Sequence, residues 1–460
     1  MSTASRHSGG VPTEGGIAHI VGTLIATSFG FVVVQLDVTI VNVAMPHIGR
    51  TFASGMTAMQ WVVDAYTLTF AALLLTAGAL GDRFGSRRVF DTGLWVFGIA
   101  SMVCSAAPSI GALIAARAVQ GAGAALILPT SLALLTYACA DDREARTSAI
   151  GWWTAIGGVI SAAGPVCGGV LTSTLGWRSI FYLNIPICIA GLIASRRHVE
   201  ETPPLSEQRL DWPGQPLAMV TFFVLTWTVI EAGSVGWSHP AVLYGLCAAT
   251  LAAALFVAVE ARIQTPMFPL RLLKSKVFSA SIVLGILLNV TFYGSIFILS
   301  LYFQHARHYT PTQTGLALAP FTVIMLANLA SGKLAKRFSP RATVVAGFAL
   351  SGIAFWMLDG IDVSTPYLKI LPALLLLGIG AGIGTPALTS SMLGSVEKSR
   401  AATASAVFNT ARQLGSALGV AIFGALLAGS STAISEGVSQ SFRASALLRF
   451  VGAVIAALFL

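Results

Sequence analysis

Residues 78–87 read Gly78-Ala79-Leu80-Gly81-Asp82-Arg83-Phe84-Gly85-Ser86-Arg87, and residues 332–341 read Gly332-Lys333-Leu334-Ala335-Lys336-Arg337-Phe338-Ser339-Pro340-Arg341. Five of the ten positions agree at an offset of 254 residues. Each copy is short and basic, and each follows a long apolar run, so the pair marks two parallel structural repeats. Outward from these loops, apolar runs lie at about 17–45, 58–80, 89–107, 110–138, 147–172, 178–195, 214–232, 239–260, 277–304, 313–334, 341–359, 366–391, 403–428 and 443–460. Most approach or exceed the ~20 residues that a helix needs to cross a bilayer core. Only structures that close their own backbone hydrogen bonds span lipid, so the runs are expected to be helices. The expected fold is an all-α membrane protein of fourteen transmembrane helices. Residues 17–195 and 277–460 form two six-helix bundles, 196–276 hold linkers and an inserted pair, and 1–16 form a tail.

Composition excludes a water-soluble domain. The 460 residues are 55% hydrophobic and 10% charged, where soluble chains carry about 25% charged residues. A net charge of +9 suits nucleic-acid binding only if the basic residues share one face, and they sit instead in short loops between apolar runs. They therefore read as topology signals, with no nucleic-acid partner. Placing the N-terminus inside assigns nineteen Lys and Arg to inner segments, five to outer loops and three to helix interiors, which is the positive-inside bias of a multi-pass protein with both termini cytoplasmic. Five scattered cysteines without CxxC spacing argue against disulfides and metal sites. The polar first sixteen residues lack signal-peptide features, so the first helix is expected to remain as an anchor.

The loop at 78–88 carries its own logic. Gly78 and Gly85 permit a tight turn between helices, and Asp82 stands among Arg83, Arg87 and Arg88, a set suited to locking helix ends together. The plainer alternative is a solvated basic loop with an ion pair worth about 0–1 kcal/mol.

Charges within the apolar runs say more. Asp37 lies in Leu36-Asp37-Val38-Thr39-Ile40-Val41-Asn42-Val43-Ala44-Met45-Pro46, Asp64 in Trp61-Val62-Val63-Asp64-Ala65-Tyr66, and Arg117 in Arg117-Ala118-Val119-Gln120-Gly121-Ala122-Gly123. A charge at membrane depth costs at least about 2.5 kcal/mol, so each needs a partner, a proton or water. Counted from the outer helix ends, all three share a depth of roughly 10 Å. They are read as a proton-coupling set, with Asp37 as carrier and Arg117 as its tuner. Asp64 either shares the proton or attracts a cationic substrate; a snorkelling interfacial role is the alternative for it. Asn42 and Gln120, on the same helices as Asp37 and Arg117, join Asp64 as candidate substrate contacts.

In the fifth run, Gly157-Gly158-Val159-Ile160-Ser161-Ala162-Ala163-Gly164-Pro165-Val166-Cys167-Gly168-Gly169 flattens one helix face for close packing and bends it at Pro165. In the second half, Asn409, Arg412 and Gln413 share a helix face by spacing. Asn289 and Tyr293 add polar and aromatic contacts on the ninth helix. These five complete the candidate substrate-binding residues, with packing or interfacial roles equally compatible with their spacing.

These stretches resemble a known family. The 78–88 loop is similar to the signature between helices two and three of the major facilitator superfamily, with Gly81 and Ser86 departing from it. The Arg117 stretch resembles a second signature of that superfamily. The Asp37 stretch and Gly176-Trp177-Arg178-Ser179-Ile180-Phe181-Tyr182-Leu183-Asn184-Ile185-Pro186 resemble the fourteen-helix drug:proton antiporter subfamily. Gly164-Pro165-Val166-Cys167-Gly168-Gly169 is similar to the antiporter signature of its exporters, with Ile160 in place of a leading Gly. Leu301-Tyr302-Phe303-Gln304-His305-Ala306-Arg307, with Thr310-Pro311 and Gly315-Leu316, resembles methylenomycin A resistance-type exporters.

The resemblance implies the major facilitator fold and alternating access in the cell membrane. The implied activity is proton-coupled efflux of lipophilic antibiotics, dyes or quaternary compounds by a monomer. No P-loop or hydrolase motif is present, so the chain is not expected to be an enzyme. No cofactor is expected, only a proton gradient. The alternatives are a proton-coupled importer of a small metabolite, and, more remotely, a channel or membrane-embedded enzyme.

Overall fold

A computed structural model describes residues 14–139, 143–203, 213–263, 270–396, 401–428 and 434–460. The chain runs through α1 (Glu14–Thr51), α2 (Met56–Phe84), α3 (Ser86–Ala106), α4 (Ile110–Ala138), α5 (Arg143–Leu175), α6 (Ser179–Tyr182) and α7 (Asn184–His198). Next come α8 (Gly214–Val235) and α9 (Pro240–Glu260), then α10 (Lys276–Leu301), α11 (Pro311–Leu318), α12 (Ile324–Phe338), α13 (Pro340–Met357), α14 (Tyr367–Gly394), α15 (Ala401–Ala428) and α16 (Ile434–Phe459). Short α6 joins α7 in one span, and a 3-10 turn at Ala319–Val323 joins α11 to α12 in another. Among the described residues, thirteen stretches are long and apolar enough to cross a bilayer, and the two arms of α2, bent by 53° between Leu74 and Thr76, make a fourteenth. No β-strand occurs among the described residues. Both described chain ends therefore lie on one face, called here the near face; the opposite one is the far face.

Sequence determines where the helices start. Ser109 and Ser275 accept from the backbone N–H groups of Ala112 and Phe278, and Thr310 and Gln313 form a reciprocal capping box, which satisfies donors that a first helical turn leaves open. The two repeated loops share one turn. Gly85 has φ +95°, and Ser339, 254 residues later, has φ +111°. Glycine adopts that conformation freely. Ser339 is held there while its hydroxyl accepts from Ala342 N–H.

Within the first six spans α1 packs on α4, α5 and α7, and α4 packs on α2 and α3. Within the last six α10 packs on α15 and α16, and α14 packs on α12 and α13. The inserted pair is lopsided: α8 touches both α2 and α15, whereas α9 packs chiefly on α8 and leaves Tyr244 and Leu251 more than 70% exposed. Exposed apolar side chains of this size recur on the outer surface, among them Leu329, Trp356 and Leu368, as a lipid-facing surface requires.

The apolar core is continuous in one half only. Toward the far face one cluster unites Ile40, Met45 and Val62 of the first bundle with Phe297, Phe303 and Phe423 of the second. Toward the near face the core divides, with Phe70, Phe90 and Ile127 in one cluster and Phe278, Phe348 and Met392 in another.

Several boundaries differ from the sequence reading. Helix α16 begins at Ile434, not near residue 443, so Arg443 is a helical residue. Its first turns are polar, yet they are ordered by contacts from Ser439 and Arg443 to Asp359 and Gly360. Arg50 likewise belongs to the last turn of α1 and donates to Pro46 O. Residues 14–16, read as tail, open α1; residues 1–13 and parts of both linkers, 204–212 and 264–269, lie outside the described residues.

Candidate functional site: a buried carboxylate network and the seams around it

Asp37 on α1 is fully buried and meets three donors. Its Oδ2 is ion-paired with Arg117 on α4. Its Oδ1 accepts from Gln120 Nε2 at 2.9 Å and from Asn184 Nδ2 at 2.9 Å. Ser101 on α3 stands behind, its Oγ accepting from Gln120 at 2.8 Å and Asn184 at 3.4 Å. Arg117 also donates from Nε to Val62 O at 3.0 Å and to Gln120 Oε1 at 2.7 Å, and its guanidinium lies 4.3 Å above the Tyr66 ring. Four helices thus meet at one carboxylate. Close approach of α4 to α2 depends on Gly121, where a Cβ would stand 2.3 Å from Tyr66 O, and its approach to α3 on Gly123, against Phe97 N at 2.7 Å. A buried ion pair with its remaining valences filled is costly to break, by about 3–5 kcal/mol when one partner is removed.

Asp64 is also fully buried, but neither of its carboxylate oxygens has a hydrogen-bond partner among the described residues. It follows Gln60 by one helical turn. Gln60 Nε2 donates to Ala421 O at 2.9 Å and Val420 O at 3.4 Å on α15, which places both residues on the side of α2 turned toward the second bundle. This α2–α15 seam has a counterpart at α5–α11. There Gly169 and Gly315 bring the backbones together: added Cβ atoms would lie 2.3 Å from Pro311 O and 2.4 Å from Pro165 O. Thr312 Oγ1 donates to Gly169 O at 3.2 Å. Gln304 Nε2 of the second bundle donates to Val43 O of the first at 2.8 Å. All these contacts lie in the far half.

The antiporter-like segment therefore acts first through packing. Gly164 and Gly168 press α5 on α1, where added Cβ atoms would meet Thr39 Oγ1 at 1.9 Å and Ile40 O at 2.6 Å. Pro165 and Gly169 face α11.

The signature loop is held by a residue that sequence reading missed. Glu201, in the linker after α7, accepts from the backbone N–H groups of Arg87 at 2.9 Å and Arg88 at 3.2 Å, and Thr202 Oγ1 accepts from Ser86 N–H at 2.8 Å. A carboxylate on the first turn of α3 is favourably placed. Gly85 must be glycine twice over, since a Cβ would also meet Glu201 Oε1 at 2.5 Å. Gly78 and Gly81 bring α2 near Pro129 and Thr130 of α4. Asp82 is half-buried, Arg83 stacks over Phe84 at 5.4 Å, and Arg88 lies 3.7 Å from Glu201.

The other expected substrate contacts divide. Gln120 is absorbed in the Asp37 network, and Asn42 donates to Val38 O in its own helix at 3.0 Å. Asn289 ties α10 to α15 through Arg412 O at 2.8 Å and Ser416 Oγ at 3.3 Å. Tyr293, Asn409, Arg412 and Gln413 are half-buried. Tyr293 reaches across to the Tyr66–Phe70 cluster of the first bundle. The second bundle holds another fully buried cation: Arg449 donates to Thr291 Oγ1 at 2.7 Å and Leu288 O at 3.1 Å and lies 5.1 Å from the Phe348 ring. Thr291 stands 254 residues after Asp37, at the matching place in the repeat.

Inserted helix α8 touches α2 at its bend. Gln215 Nε2 donates to Ala72 O at 2.7 Å, and Gln215 Oε1 accepts from the Thr76 hydroxyl. Among the described residues no group of His, Cys, Asp and Glu is arranged to hold a metal ion.

Comparison with known proteins places this arrangement. A methylenomycin A resistance protein of Streptomyces coelicolor is 39% identical over 432 residues, covering 94% of this chain and 90% of that protein. The multidrug resistance protein Stp of Mycobacterium tuberculosis is 36% identical over 407 residues, covering 88% and 75%. A crystal structure of a POT family transporter in complex with 5-aminolevulinic acid shares the fold with a TM-score of 0.72 at 13% identity, covering 95% of each chain. The Major Facilitator Superfamily profile matches residues 27–420, and the chain belongs to that superfamily of transporters.

Proposed function

We propose that this transporter exports lipophilic small molecules, antibiotics, dyes or quaternary compounds among them, in exchange for protons. The near face is then cytoplasmic, with both termini there, and the membrane is the cytoplasmic one. The bundles at 17–195 and 277–460 are the moving units. They share one apolar core in the far half and keep separate cores in the near half, an arrangement that supports a state facing the cytoplasm. Asp37, Arg117 and Asp64 form the coupling set. Tyr293, Asn409, Arg412 and Gln413 contribute to the substrate path.

The observation that carries this reading is the presence of two carboxylates at one membrane depth in opposite circumstances, Asp37 saturated with donors and Asp64 without any. A transporter that moves protons needs a carboxylate whose surroundings change with conformation. The relatives' names, which concern drug resistance, support export over import.

The test is a drug-susceptibility panel in a pump-deficient host. The intact chain should raise resistance to at least one lipophilic compound, and Asp37→Asn and Asp64→Asn should both lose that protection at equal expression. Full protection by both variants would remove the carboxylates from the coupling scheme. Uptake of substrate into cells, instead of clearance, would make the protein an importer.

A further inference from the structure

We propose that a notch on α5, between Phe31 of α1 and Asn328 of α12, is a substrate subsite for flat, ring-fused compounds that carry an N–H or O–H donor. The inference rests on the export reading above and names a class of substrate for it. Helix α5 turns by about 100° per residue, so its neighbours fix the direction of each face. Gly157, Gly164 and Gly168 face α1, where added Cβ atoms would meet Phe31, Thr39 and Ile40. Gly158 and Gly169 face the second bundle, against Asn328 and α11. Trp152, Val159 and Val170 are exposed on the opposite, lipid side. Ser161, half-buried, falls by that count between the α1 and α12 faces and therefore points into the space between the bundles.

One wall of the notch is aromatic. Phe31 is stacked on Trp153 at 3.8 Å between ring centroids and 11° between planes. Trp153 is buried, whereas Phe31 is only half-buried, so a flat ring laid beside Phe31 would extend the stack. The other wall is polar. Asn328 Oδ1 is buried without a hydrogen-bond partner among the described residues, although the amide reaches to within 3.9 Å of a Cβ placed on Gly158. A buried acceptor without a donor is destabilising, and a donor on a bound molecule would fill it.

The floor is bare backbone, and helix packing does not demand it. At Gly157 a Cβ would fall 1.8 Å from the Phe31 ring, so glycine is needed there to seat α1. At Gly158 the nearest atom is Asn328 Nδ2 at 3.9 Å, an ordinary contact distance. Alanine would fit that position and favour the helix, so the space over Gly158 is left open for a bound molecule. The depth suits a substrate as well. Gly158 lies ten residues from Ser148, where its span starts, and Asn328 lies ten residues from Phe338, the near end of α12. Both are thus about 15 Å from the near ends of their helices. In that half the bundles keep separate cores, and a molecule arriving from the near side meets Phe31 and Asn328.

The test uses the full-length protein in detergent and two fluorescent dyes, proflavine and acridine orange. Both are cationic acridines with the same fused ring, but the amino groups of proflavine carry N–H and those of acridine orange are fully methylated. The parent protein should bind both, proflavine the more tightly. Asn328→Ala should weaken proflavine by about fivefold, the worth of one hydrogen bond, and leave acridine orange unchanged. Asn328→Asp, which keeps an acceptor, should keep the preference. Phe31→Leu should weaken both dyes, and Phe31→Tyr neither. Gly158→Ala, whose added methyl meets only Asn328 at 3.9 Å, should weaken both dyes at an unchanged thermal transition. An Asn328→Ala protein that does not separate the two dyes overturns the subsite, as does undiminished binding in Gly158→Ala or a parent that binds neither dye. Clearance of the same dyes from energised cells tests the export reading separately. Dye that binds with this pattern yet is not cleared would defeat that reading and leave the subsite standing.

Discussion

Asn184 Nδ2 lies 2.9 Å from Asp37 Oδ1, the same distance at which Gln120 reaches that oxygen from another helix. The acid is thereby tied to α7 as well as to α4. Removing the amide leaves Oδ1 with one donor, Gln120, in a fully buried site. Asn184→Ala should lower stability by about 1–3 kcal/mol, read as an earlier thermal transition of the purified protein in detergent. Asn184→Gln, which keeps an amide, should recover part of it. An unchanged transition in Asn184→Ala would show that Gln120 and Arg117 suffice.

Gly164 tests whether the antiporter-like segment works by contact. A Cβ there would fall 1.9 Å from Thr39 Oγ1, whereas at Gly151, about three and a half helical turns away in α5, nothing stands within 4 Å. Gly164→Ala should destabilise by about 1–3 kcal/mol through overpacking. Gly151→Ala should be neutral or stabilising by about 0.5–1 kcal/mol through helix propensity. Equal effects at both positions would count against the contact.

Asp359, in the far-side turn before α14, gives a pH prediction. Partial desolvation pushes its carboxyl up, but hydrogen bonds from Ser439 and Arg443, the Arg443 charge and the Gly360 N–H outweigh it, so it is held below the ordinary carboxylate range. A carboxyl lowered on folding stabilises the native state above its unfolded pKa of about 3.9, and that contribution is lost as pH falls through the folded value. Arg443 is well exposed, so screening keeps the effect below about 1 kcal/mol. The difference in thermal stability between parent and Asp359→Asn should therefore be present at neutral pH and vanish in strong acid. A difference that grows with acid would reverse the sign and exclude the assignment.

Gln215 tests the inserted pair. It is the side chain through which α8 takes up the Ala72 carbonyl at the bend of α2. Gln215→Leu should leave that carbonyl without this donor and shift the balance of conformations. The distance between spin labels at Gly111→Cys and Val363→Cys, exposed far-side positions on the two bundles, should then change, while Glu231→Gln near the other end of α8 should leave it alone. No change in Gln215→Leu would reduce α8 to passive packing.

Much of this architecture could be read from the chain because lipid imposes a simple code. Apolar length gave the spans, and in such runs the isolated charges Asp37, Asp64 and Arg117 stood out. The 254-residue repeat paired the halves, and the shared depth of Asp37 and Arg117 anticipated their contact. What stayed hidden depends on docking. Asn184 sat inside a quoted motif, yet only the crossing of α1 and α7 reveals its acceptor. Glu201 lies 114 residues from the Arg87 N–H that it caps, with no periodicity to connect them. Gln60 and Gln304 matter because they bridge bundles, a relation that no single helix encodes. The start of α16 was misplaced because its first turns are polar and are ordered by Asp359 rather than by lipid.

Arg449 gives the second bundle a property that the first lacks. Where the first repeat places Asp37, the second has Thr291, and the arginine above it faces no carboxylate among the described residues. A cation in the middle of a span senses the electric field directly, at about 2.3 kcal/mol per charge for each 100 mV crossed in full. If alternation carries Arg449 along the membrane normal, that movement is electrogenic, and membrane voltage would then bias the position of the second bundle.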